Sequence, residues 1–354
     1  MKLKTAFITG CTGQDGSYLI ELLLQKGYIV HGLVRRASTF NRSRLEHIYT
    51  NPDNENHLHL HYGDMTDSVS LTHILAKIKP DEIYNLAAQS HVQVSFEIPI
   101  YTAQTTGLGV LNLIEAVRTL GLKSRIYQAS TSELFSGDPK EAPQSEKTPF
   151  KPKSPYGGAK LYGFEIARIY RESYGMFIVN GILFNHESER RAENFVTRKI
   201  SKGIGEIIHG KRKHIFLGSL EASRDWGYAP EYMEAAWQML QQKKPEDFVI
   251  ATGETHTVRE FAEEACLIAG LDFKNVIKTH KRYLRPNEVD YLCGDASKAR
   301  KVLGWKPRMT FKGLVRRMVD FDINNERIEK QKLITDMYFV DKKQKSPPKS
   351  SRKA

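Results

Sequence analysis

The chain has 354 residues, of which 40% are hydrophobic and 27% charged, a composition typical of a folded protein with one or two domains. No apolar run approaches the roughly 20 residues of a membrane span, so we expect no membrane partner. The three cysteines are scattered and lack the spacing of a disulfide framework or a metal site. We therefore expect no metal and a cytoplasmic location.

A formal net charge of +12 raises nucleic acid as a possible partner. The charge is unevenly placed, however, because residues 341–354 carry six basic side chains against one Asp. This segment is proline-containing and has little to bury, so residues 340–354 are predicted to be a disordered basic tail. Many of the other arginines fall in clusters that suit the phosphates of a small ligand, and we expect no nucleic-acid partner.

The first predicted element is a short apolar strand at residues 5–9. Glycines follow at positions 10, 13 and 16, and then an amphipathic helix from about Ser17 to Lys26. Glycines in such a turn allow a pyrophosphate to approach the backbone, and the helix N-terminus favours its charge. The spacing G-x-x-G-x-x-G is typical of short-chain dehydrogenases. A glycine turn without a ligand is the alternative.

The second predicted strand, residues 29–34, ends at Arg35 and Arg36. At this position a site for NAD carries a carboxylate that holds the adenosine ribose. Two guanidinium groups suit a 2′-phosphate instead, which favours NADP as the cofactor. The alternative is a pair of solvated surface arginines.

Strands and helices continue to alternate along the first half of the chain. The further strands are predicted at residues 58–63, 81–86, 125–130 and 177–183, and the longer helices at 105–120 and from Ser154 to about Tyr174. This alternation predicts an α/β fold, a doubly wound parallel Rossmann sheet with helices on both faces. The strand at 125–130 runs into Thr131, Ser132 and Glu133, which brings two hydroxyls and a carboxylate to the sheet edge where the glycine turn lies.

Tyr156 and Lys160 are four residues apart at the start of a helix, so both lie on one helix face. A free phenol has a pKa of about 10 and needs about 4 kcal/mol of help to act as a base at neutral pH. An ammonium group about 5 Å away supplies about 3 kcal/mol, and an oxidised nicotinamide can supply much of the rest. The pair is a candidate phenolate base, although a buried tyrosine beside a solvated lysine is the usual alternative for this motif alone.

Beyond Phe184 the alternation gives way to a dense polar loop at 185–191. Helices are then predicted at 195–208, 232–242, 257–269 and 297–303. No Gly/Ser linker separates the two parts of the chain. We expect residues 1–184, including the helix at 157–174, to form an NADP-binding Rossmann domain. Residues 185–335 are expected to form mainly a smaller C-terminal α/β substrate-binding lobe, with the substrate between the two.

Taken together, the motifs resemble the extended short-chain dehydrogenase/reductases that modify nucleotide sugars, in particular those that remove water from GDP-mannose. The resemblance runs from about residue 5 to 322 and rests most on long polar strings. The matching stretches are residues 10–19, 34–36, 128–133, 154–160, 180–188, 194–200, 224–227 and 285–290.

The resemblance implies a site residue by residue. The implied catalytic set is Thr131, Glu133, Tyr156 and Lys160. The implied NADP contacts are Gly10, Cys11, Thr12, Gly13, Gln14, Asp15, Arg35, Arg36, Asp64, Met65, Leu86, Ala87, Ala88, Gln89, Ser90, Tyr101, Lys160, His186 and Arg191. The implied contacts to GDP-mannose are Ser90, Asn185, Lys199, Arg224, Arg285 and Glu288. Taken alone, Arg224 with Asp225 and Arg285 with Glu288 are as readily explained as surface ion pairs.

The chain departs from the family pattern at a few positions. Cys11 stands where isoleucine is usual, Glu189 where proline is usual and Ala192 where glycine is usual. In addition, Gly157 and Gly158 are expected to loosen the start of the helix that carries Tyr156. None of these changes replaces an implied catalytic residue.

The implied activity is a dehydration at C4, C5 and C6 of mannose, the first step of deoxysugar synthesis of the GDP-fucose or GDP-rhamnose type. In it Tyr156 takes the C4 hydroxyl proton, Glu133 the C5 proton, and hydride moves from C4 to C6 by way of retained NADP. The resemblance also implies a homodimer or homotetramer. Another dehydratase, an epimerase or a reductase of the superfamily is one alternative, and a non-catalytic NADP-binding protein is another. An acid at Glu133 argues against the epimerase or reductase, and the intact Tyr156–Lys160 pair argues against the non-catalytic protein.

Overall fold

The structure, a computed structural model, describes residues 3–38 and 41–344, with side chains described as far as Ile328. The strands are β1 (Thr5–Thr9), β2 (Ile29–Val34), β3 (Leu58–Tyr62), β4 (Glu82–Asn85), β5 (Arg125–Ala129), β6 (Ile178–Leu183), β7 (Asn185–Glu187), β8 (Ile215–Leu217), β9 (Ser223–Arg224), β10 (Trp226–Tyr228), β11 (Phe248–Ile250), β12 (His256–Thr257) and β13 (Ile277–Thr279). The helices are α1 (Gln14–Gln25), α2 (Glu46–Tyr49), α3 (Ser68–Ile78), α4 (Val92–Glu97), α5 (Pro99–Thr102), α6 (Gly109–Thr119), α7 (Pro155–Tyr174), α8 (Val196–Ile208), α9 (Ala229–Leu240), α10 (Val258–Ile268), α11 (Phe273–Val276), α12 (Ser297–Leu303) and α13 (Phe311–Gln344).

Seven of these strands form one parallel sheet in the order β11-β6-β5-β4-β1-β2-β3. Strand β1 lies between β4 and β2, so successive connections leave β1 in opposite directions across the sheet. In such sheets a crevice opens beyond the carboxyl ends of the strands at this switch point, and ligands bind there. The predicted doubly wound parallel sheet is confirmed.

Side chains alternate between the two faces of the sheet, and each face is covered by helices. In β1, Ala6 and Ile8 join a core with Leu19 and Leu23 of α1, whereas Phe7 faces a second core with helices α3 and α6. The first core also includes buried residues of α9, β11 and α12. The second half of the chain therefore extends the main sheet as well as forming the smaller lobe.

The smaller lobe has its own core, built from α8, α10, α13 and the β8–β13 pair. Inside it, Arg198 of α8 pairs with Asp322 of α13, and Asp322 also accepts a hydrogen bond from Ser201 at 2.7 Å. Burial raises the pKa of Asp322 to about 6 in spite of the arginine. These contacts join α13 to the helix that carries Lys199.

Three imidazoles stack on the outer strands of the sheet and form a histidine cluster, His31 of β2 with His59 and His61 of β3. The His31 Nδ1 lies 2.9 Å from His61 Nε2, and the ring centres of His31 and His59 are 4.9 Å apart. Burial, the other two imidazoles and Lys77 together lower the pKa of His31 to about 4. His31 is therefore neutral at neutral pH.

Most predicted elements are present with small shifts at their ends. Helix α1 begins at Gln14, three residues before the predicted start, and the predicted helix at 105–120 is preceded by α5 and a π-helical turn at Ala103–Leu108. Strand β11 and helix α3 were not predicted. Helix α13 runs to Gln344, and the remainder of the predicted basic tail, 345–354, lies outside the described residues. Among the described helices, none is long and apolar enough to cross a bilayer.

Candidate active site

A large cavity of about 640 Å³ opens at the carboxyl ends of β1, β4, β5 and β6 and continues between the sheet and the smaller lobe. The predicted site residues on its wall are Gly10, Thr12, Gly13, Gln14, Asp15, Arg35, Asp64, Met65, Leu86, Ala87, Ala88, Gln89, Ser90, Tyr101, Thr131, Glu133, Tyr156, Lys160, Asn185, His186, Arg191, Lys199, Arg224, Arg285 and Glu288. Residues distant in sequence thus meet in one space. Two predicted residues, Cys11 and Arg36, do not line it.

The glycine turn between β1 and α1 is shaped by close backbone approaches. Gly10 has a φ of +67°, and a Cβ there would lie 2.8 Å from the backbone nitrogen of Ala87. A Cβ at Gly16 would lie 2.5 Å from the Cα of Cys11. The N-cap of α1 is Gly13, which has no side chain to accept the first N–H groups of the helix. Those donors remain available to an anion in the cavity.

Cys11 lies beneath this turn and not on the cavity wall. Its side chain is fully buried, and its Sγ donates to the backbone oxygen of Leu33 at 3.1 Å. Burial raises the pKa of the thiol to about 12. The Cys11 side chain therefore packs against β2 and does not reach the cavity wall.

A hydrogen-bonded network joins the glycine turn to the loop after β6. The Nε2 of His186 lies 2.9 Å from Asp15 Oδ2, and Gln14 donates to the backbone oxygen of His186 at 3.0 Å. Ser188 donates to Gln14 at 2.8 Å. Burial alone would raise the pKa of Asp15, but the nearby His186 and Arg191 lower it to about 2. A charged carboxylate therefore persists at this point of the cavity.

The two arginines after β2 take different directions. Arg35 lines the cavity, and its Nη1 donates to the hydroxyl of Tyr101 on the opposite wall. The guanidinium of Arg36 lies 5.9 Å from the ring centre of Tyr62, away from the cavity wall. Of the two arginines predicted to contact a cofactor phosphate, the structure therefore places Arg35 and not Arg36 on the cavity wall.

Tyr156 and Lys160 lie in the first two turns of α7. Ser154 caps the start of this helix, because its Oγ accepts a hydrogen bond from Gly157 N at 3.0 Å. Lys160 is buried, and its Nζ donates to the backbone oxygen of Ala129 at 2.7 Å, which ties α7 to the end of β5. That nitrogen is 5.9 Å from the centre of the Tyr156 ring. The two side chains are neighbours, as the four-residue spacing predicts.

The electrostatics of this pair differ from the expectation based on the lysine alone. Burial raises the pKa of Tyr156 above its usual value, and the neighbouring Glu133 adds to the rise, although a hydrogen bond with Thr131 opposes it. Burial lowers the pKa of Lys160 to about 8, so the amine is still mainly protonated at pH 7. Ionisation of the phenol therefore needs more positive charge than the lysine provides.

Four charged side chains form a chain that runs from Glu133 into the smaller lobe. Arg285 Nη1 lies 3.3 Å from Glu133 Oε1 and 3.2 Å from Glu288 Oε1, and Arg224 Nη2 is 2.9 Å from the same oxygen of Glu288. The second carboxylate oxygen of Glu133 is buried without a hydrogen-bond partner among the described residues. The wall thus presents two guanidinium forks beside a carboxylate with a free oxygen.

The surface ion-pair interpretation is not supported for Arg224 with Asp225, whereas Arg285 and Glu288 do form a partly exposed pair. Arg224 is 5% exposed and does not pair with its neighbour in sequence, Asp225. Asp225 instead accepts from the backbone nitrogens of Thr252 and Gly253, at 2.8 and 2.9 Å. A buried guanidinium group that faces a cavity, such as that of Arg224, is suited to bind a diphosphate bidentately.

Comparison with known proteins agrees with this arrangement. The family model described as GDP-mannose 4,6 dehydratase matches residues 7–318. The chain is 53% identical to GDP-mannose 4,6 dehydratase 1 of Arabidopsis thaliana over 96% of this chain and 95% of that protein. It is 54% identical to GDP-mannose 4,6 dehydratase of Homo sapiens, over 90% of this chain and 91% of that one.

The chain belongs to the GDP-mannose 4,6-dehydratase family. Its fold also matches the solved dTDP-glucose 4,6-dehydratase of Bacillus anthracis in complex with NAD. The TM-score is 0.79 at 21% identity, with 92% of this chain and 98% of that chain covered. The resemblance stated from the sequence motifs is thereby confirmed.

Glu189 stands where proline is usual in the family, and in the structure its carboxylate has a partner. Both oxygens of Glu189 are contacted by Arg317 of α13, at 2.7 and 3.0 Å. The next residue, Arg190, pairs with Glu21 of α1. The loop that carries the predicted cofactor contact Arg191 is therefore held from both lobes, without the proline that is usual at 189.

Tyr283 is a cavity residue that the sequence did not single out. The Nζ of Lys199 lies 3.2 Å from the centre of its ring, and burial lowers the pKa of Lys199 to about 8, with Arg212 and Arg282 contributing. A Cβ at Gly218 would lie 2.3 Å from the Tyr283 backbone oxygen. This close approach brings the loop at 281–283 to the cavity. The sequence did not predict Tyr283 as a cavity residue, because a single tyrosine in a charged turn is not a recognisable motif.

Proposed function

We propose that this chain is an NADP-dependent GDP-mannose 4,6-dehydratase, a hydro-lyase that converts GDP-mannose to GDP-4-dehydro-6-deoxy-D-mannose and water. The observation that carries the proposal is the presence of Glu133 in the same cavity as Tyr156 and Lys160. A second base beside the tyrosine is what elimination requires and simple oxidation does not. The proposed place of action is the cytoplasm.

The glycine turn and Arg35 fit the proposed cofactor. Side chains at Gly10 and Gly16 would collide with the backbone, and the cavity-facing N–H groups of α1 suit a pyrophosphate. Arg35 suits the 2′-phosphate that distinguishes NADP from NAD. When bound, NADP supplies the acceptor and donor of hydride and a positive charge that favours the phenolate form of the tyrosine.

The proposed roles of the catalytic residues follow from their contacts. Tyr156 takes the proton of the C4 hydroxyl, and Thr131, which is hydrogen-bonded to Tyr156, holds the C4 oxygen. Lys160 keeps a positive charge near the phenol and fixes α7 against β5 through Ala129. Once C4 is a ketone, the C5 proton becomes acidic, and the free oxygen of Glu133 removes it and passes it to the C6 hydroxyl, which leaves as water. C6 then receives the hydride taken from C4, and C5 receives a proton from solvent.

The nucleotide end of the substrate is proposed to lie against the smaller lobe. Arg224 and Arg285 are the donors for the diphosphate, and Lys199 adds a third cation. Ser90 and Asn185 line the same cavity and are proposed to contact the substrate, as is Glu288. Because Arg285 contacts both Glu288 and Glu133, the residues proposed for the nucleotide end are joined directly to the elimination base.

The alternative activities in the same superfamily are those of an epimerase or a reductase, which would use the Tyr156–Lys160 pair without a second base. Glu133 is buried beside these residues, and a buried carboxylate is costly to maintain without a chemical role. This observation favours the dehydratase. A non-catalytic NADP-binding protein has no need of either feature.

We also propose that the chain assembles with itself. Four large apolar side chains are exposed on the adjoining segments before α6 and in α7, namely Ile100 (73% exposed), Leu108 (45%), Ile169 (42%) and Tyr162 (39%). An apolar face of this kind on two packed helical segments is suited to the same face of a second copy. The resulting assembly is proposed to be a homodimer or a dimer of dimers.

Incubation with GDP-mannose and NADP tests the proposed function. The product is expected to be lighter than the substrate by one water, with no net formation of NADPH, as followed by mass spectrometry and absorbance. UDP-glucose and dTDP-glucose serve as matched controls and should remain unchanged. Stoichiometric NADPH without loss of water would identify a dehydrogenase instead.

A further inference from the structure

Two adjacent glycines, Gly157 and Gly158, follow Tyr156 in the first turns of α7. Glycine is less favourable than alanine inside a helix because its backbone loses more conformational freedom on folding. A Cβ at Gly158 would meet nothing within 4 Å. A Cβ at Gly157 would lie 2.7 Å from the backbone oxygen of Glu133 and 2.9 Å from the Cβ of Pro152. Only Gly157 is therefore required by its surroundings.

The contact at Gly157 joins the two elements that carry the proposed bases. On one side is α7 with Tyr156, and on the other is the 3₁₀ turn Ser132–Leu134 with Glu133. The atom nearest to the missing Cβ belongs to the backbone, so no change of side-chain rotamer can make room for a methyl group. An alanine at 157 must therefore separate the helix from the turn.

Helix α7 is the more firmly held of the two elements. One face of α7 is buried, and two hydrogen bonds add to this packing. Tyr156 N donates to Ser95 Oγ at 3.2 Å, and Lys160 Nζ donates to Ala129 O at 2.7 Å. The short turn is held by the N–H of Glu133, which donates to Thr131 Oγ1 at 3.2 Å, by Arg285 at 3.3 Å, and by Leu134 O, which accepts from Lys151 N at 2.7 Å. The displacement caused by a methyl group at 157 should therefore fall mainly on the turn.

We propose that Gly157 is a positioning residue for Glu133. Because it has no side chain, the turn that carries Glu133 lies directly against the helix that carries Tyr156, and this contact sets the distance between the base for the C5 proton and the phenol at C4. The proposal rests on the proposed dehydratase function. It predicts that a larger residue at 157 impairs elimination and spares oxidation at C4.

The test compares Gly157→Ala with its neighbour Gly158→Ala in the NADP-loaded enzyme. Oxidation at C4 alone is measured with GDP-6-deoxymannose, which has no leaving group at C6, by the absorbance of reduced nicotinamide. Proton removal at C5 is measured as entry of solvent deuterium into GDP-4-dehydro-6-deoxy-mannose. A misplacement of about 1 Å costs a reaction about 10²-fold, so Gly157→Ala should slow exchange at C5 by about 10- to 100-fold.

In the same Gly157→Ala protein, oxidation of the deoxy analogue and the KM for GDP-mannose should stay within about threefold of the parent values, because α7 is expected to keep Tyr156 and Lys160 in place while the turn with Glu133 moves. Gly158→Ala should leave both rates unchanged. Equal rates for the two variants would overturn the proposal. So would a parallel loss of both steps or failure of Gly157→Ala to fold, since Gly157 would then serve the helix as a whole. Absence of C5 exchange in the parent enzyme would instead refute the proposed function.

Discussion

Replacement of Arg35 by alanine tests which cofactor the site is built for. Arg35 faces the cavity at the end of β2, whereas Arg36 lies against Tyr62 outside it. A charge-assisted hydrogen bond to a phosphate is worth about 1.5–3 kcal/mol. Because Arg35 is exposed, solvent screening places the expected loss at the lower end, about 1.5–2 kcal/mol or roughly 10- to 30-fold in Kd.

The assay is a calorimetric titration of cofactor-free enzyme with NADP and, separately, with NAD. Arg35→Ala should weaken NADP by about 10- to 30-fold and NAD by less than about threefold, since only NADP carries the 2′-phosphate. Arg36→Ala is the matched control, and it should change neither affinity by more than about threefold. An equal loss for both cofactors in Arg35→Ala, or a loss of NADP affinity in Arg36→Ala as large as in Arg35→Ala, would refute the reasoning.

Three further predictions concern elimination, acid stability and assembly. Glu133→Gln should lower the overall dehydration rate by about 10²-fold or more while C4 oxidation persists, and unchanged entry of solvent deuterium at C5 would refute this role. The pKa of His31 is about 4 in the folded protein, against the ordinary value of 6.5. Between pH 4 and pH 6.5 the folded state therefore binds fewer protons than the unfolded state. Stability should therefore fall by about 1–2 kcal/mol as pH drops through this window, and urea titrations of His31→Gln should lack that part of the loss. Ile100→Asp should yield monomers in light scattering, whereas Leu267→Asp, equally exposed on α10, should not.

The sequence predicted the main sheet well because its signals are local. Strand β2 has the predicted bounds and helix α7 begins within one residue of the predicted start, since an apolar run in one case and a Ser–Pro start in the other are properties of neighbouring residues. Strand β11 was missed because its three residues give no periodicity and their strand state depends on pairing with β6, more than 60 residues away along the chain.

One part of the candidate site was predictable from local spacing in the sequence, and another part was not. Glycine turns and the Tyr156–Lys160 pair have fixed spacing, so their meeting in one cavity followed from a parallel sheet. The positions of Arg36 and of the Cys11 side chain away from the cavity wall could not be predicted, because the direction of a side chain after a strand depends on the packing around it. The raised pKa of Tyr156 was also not predictable, since it arises mainly from burial in the folded protein.

Transfer of a label within the sugar tests whether hydride moves from C4 to C6. GDP-mannose with deuterium at C4 is converted in ordinary water by the NADP-loaded enzyme, and the product is examined by NMR and mass spectrometry. We expect deuterium to move from C4 to C6 of the same molecule and the C5 proton to come from solvent. Product with no deuterium at C6, or deuterium that accumulates in reduced cofactor, would contradict it.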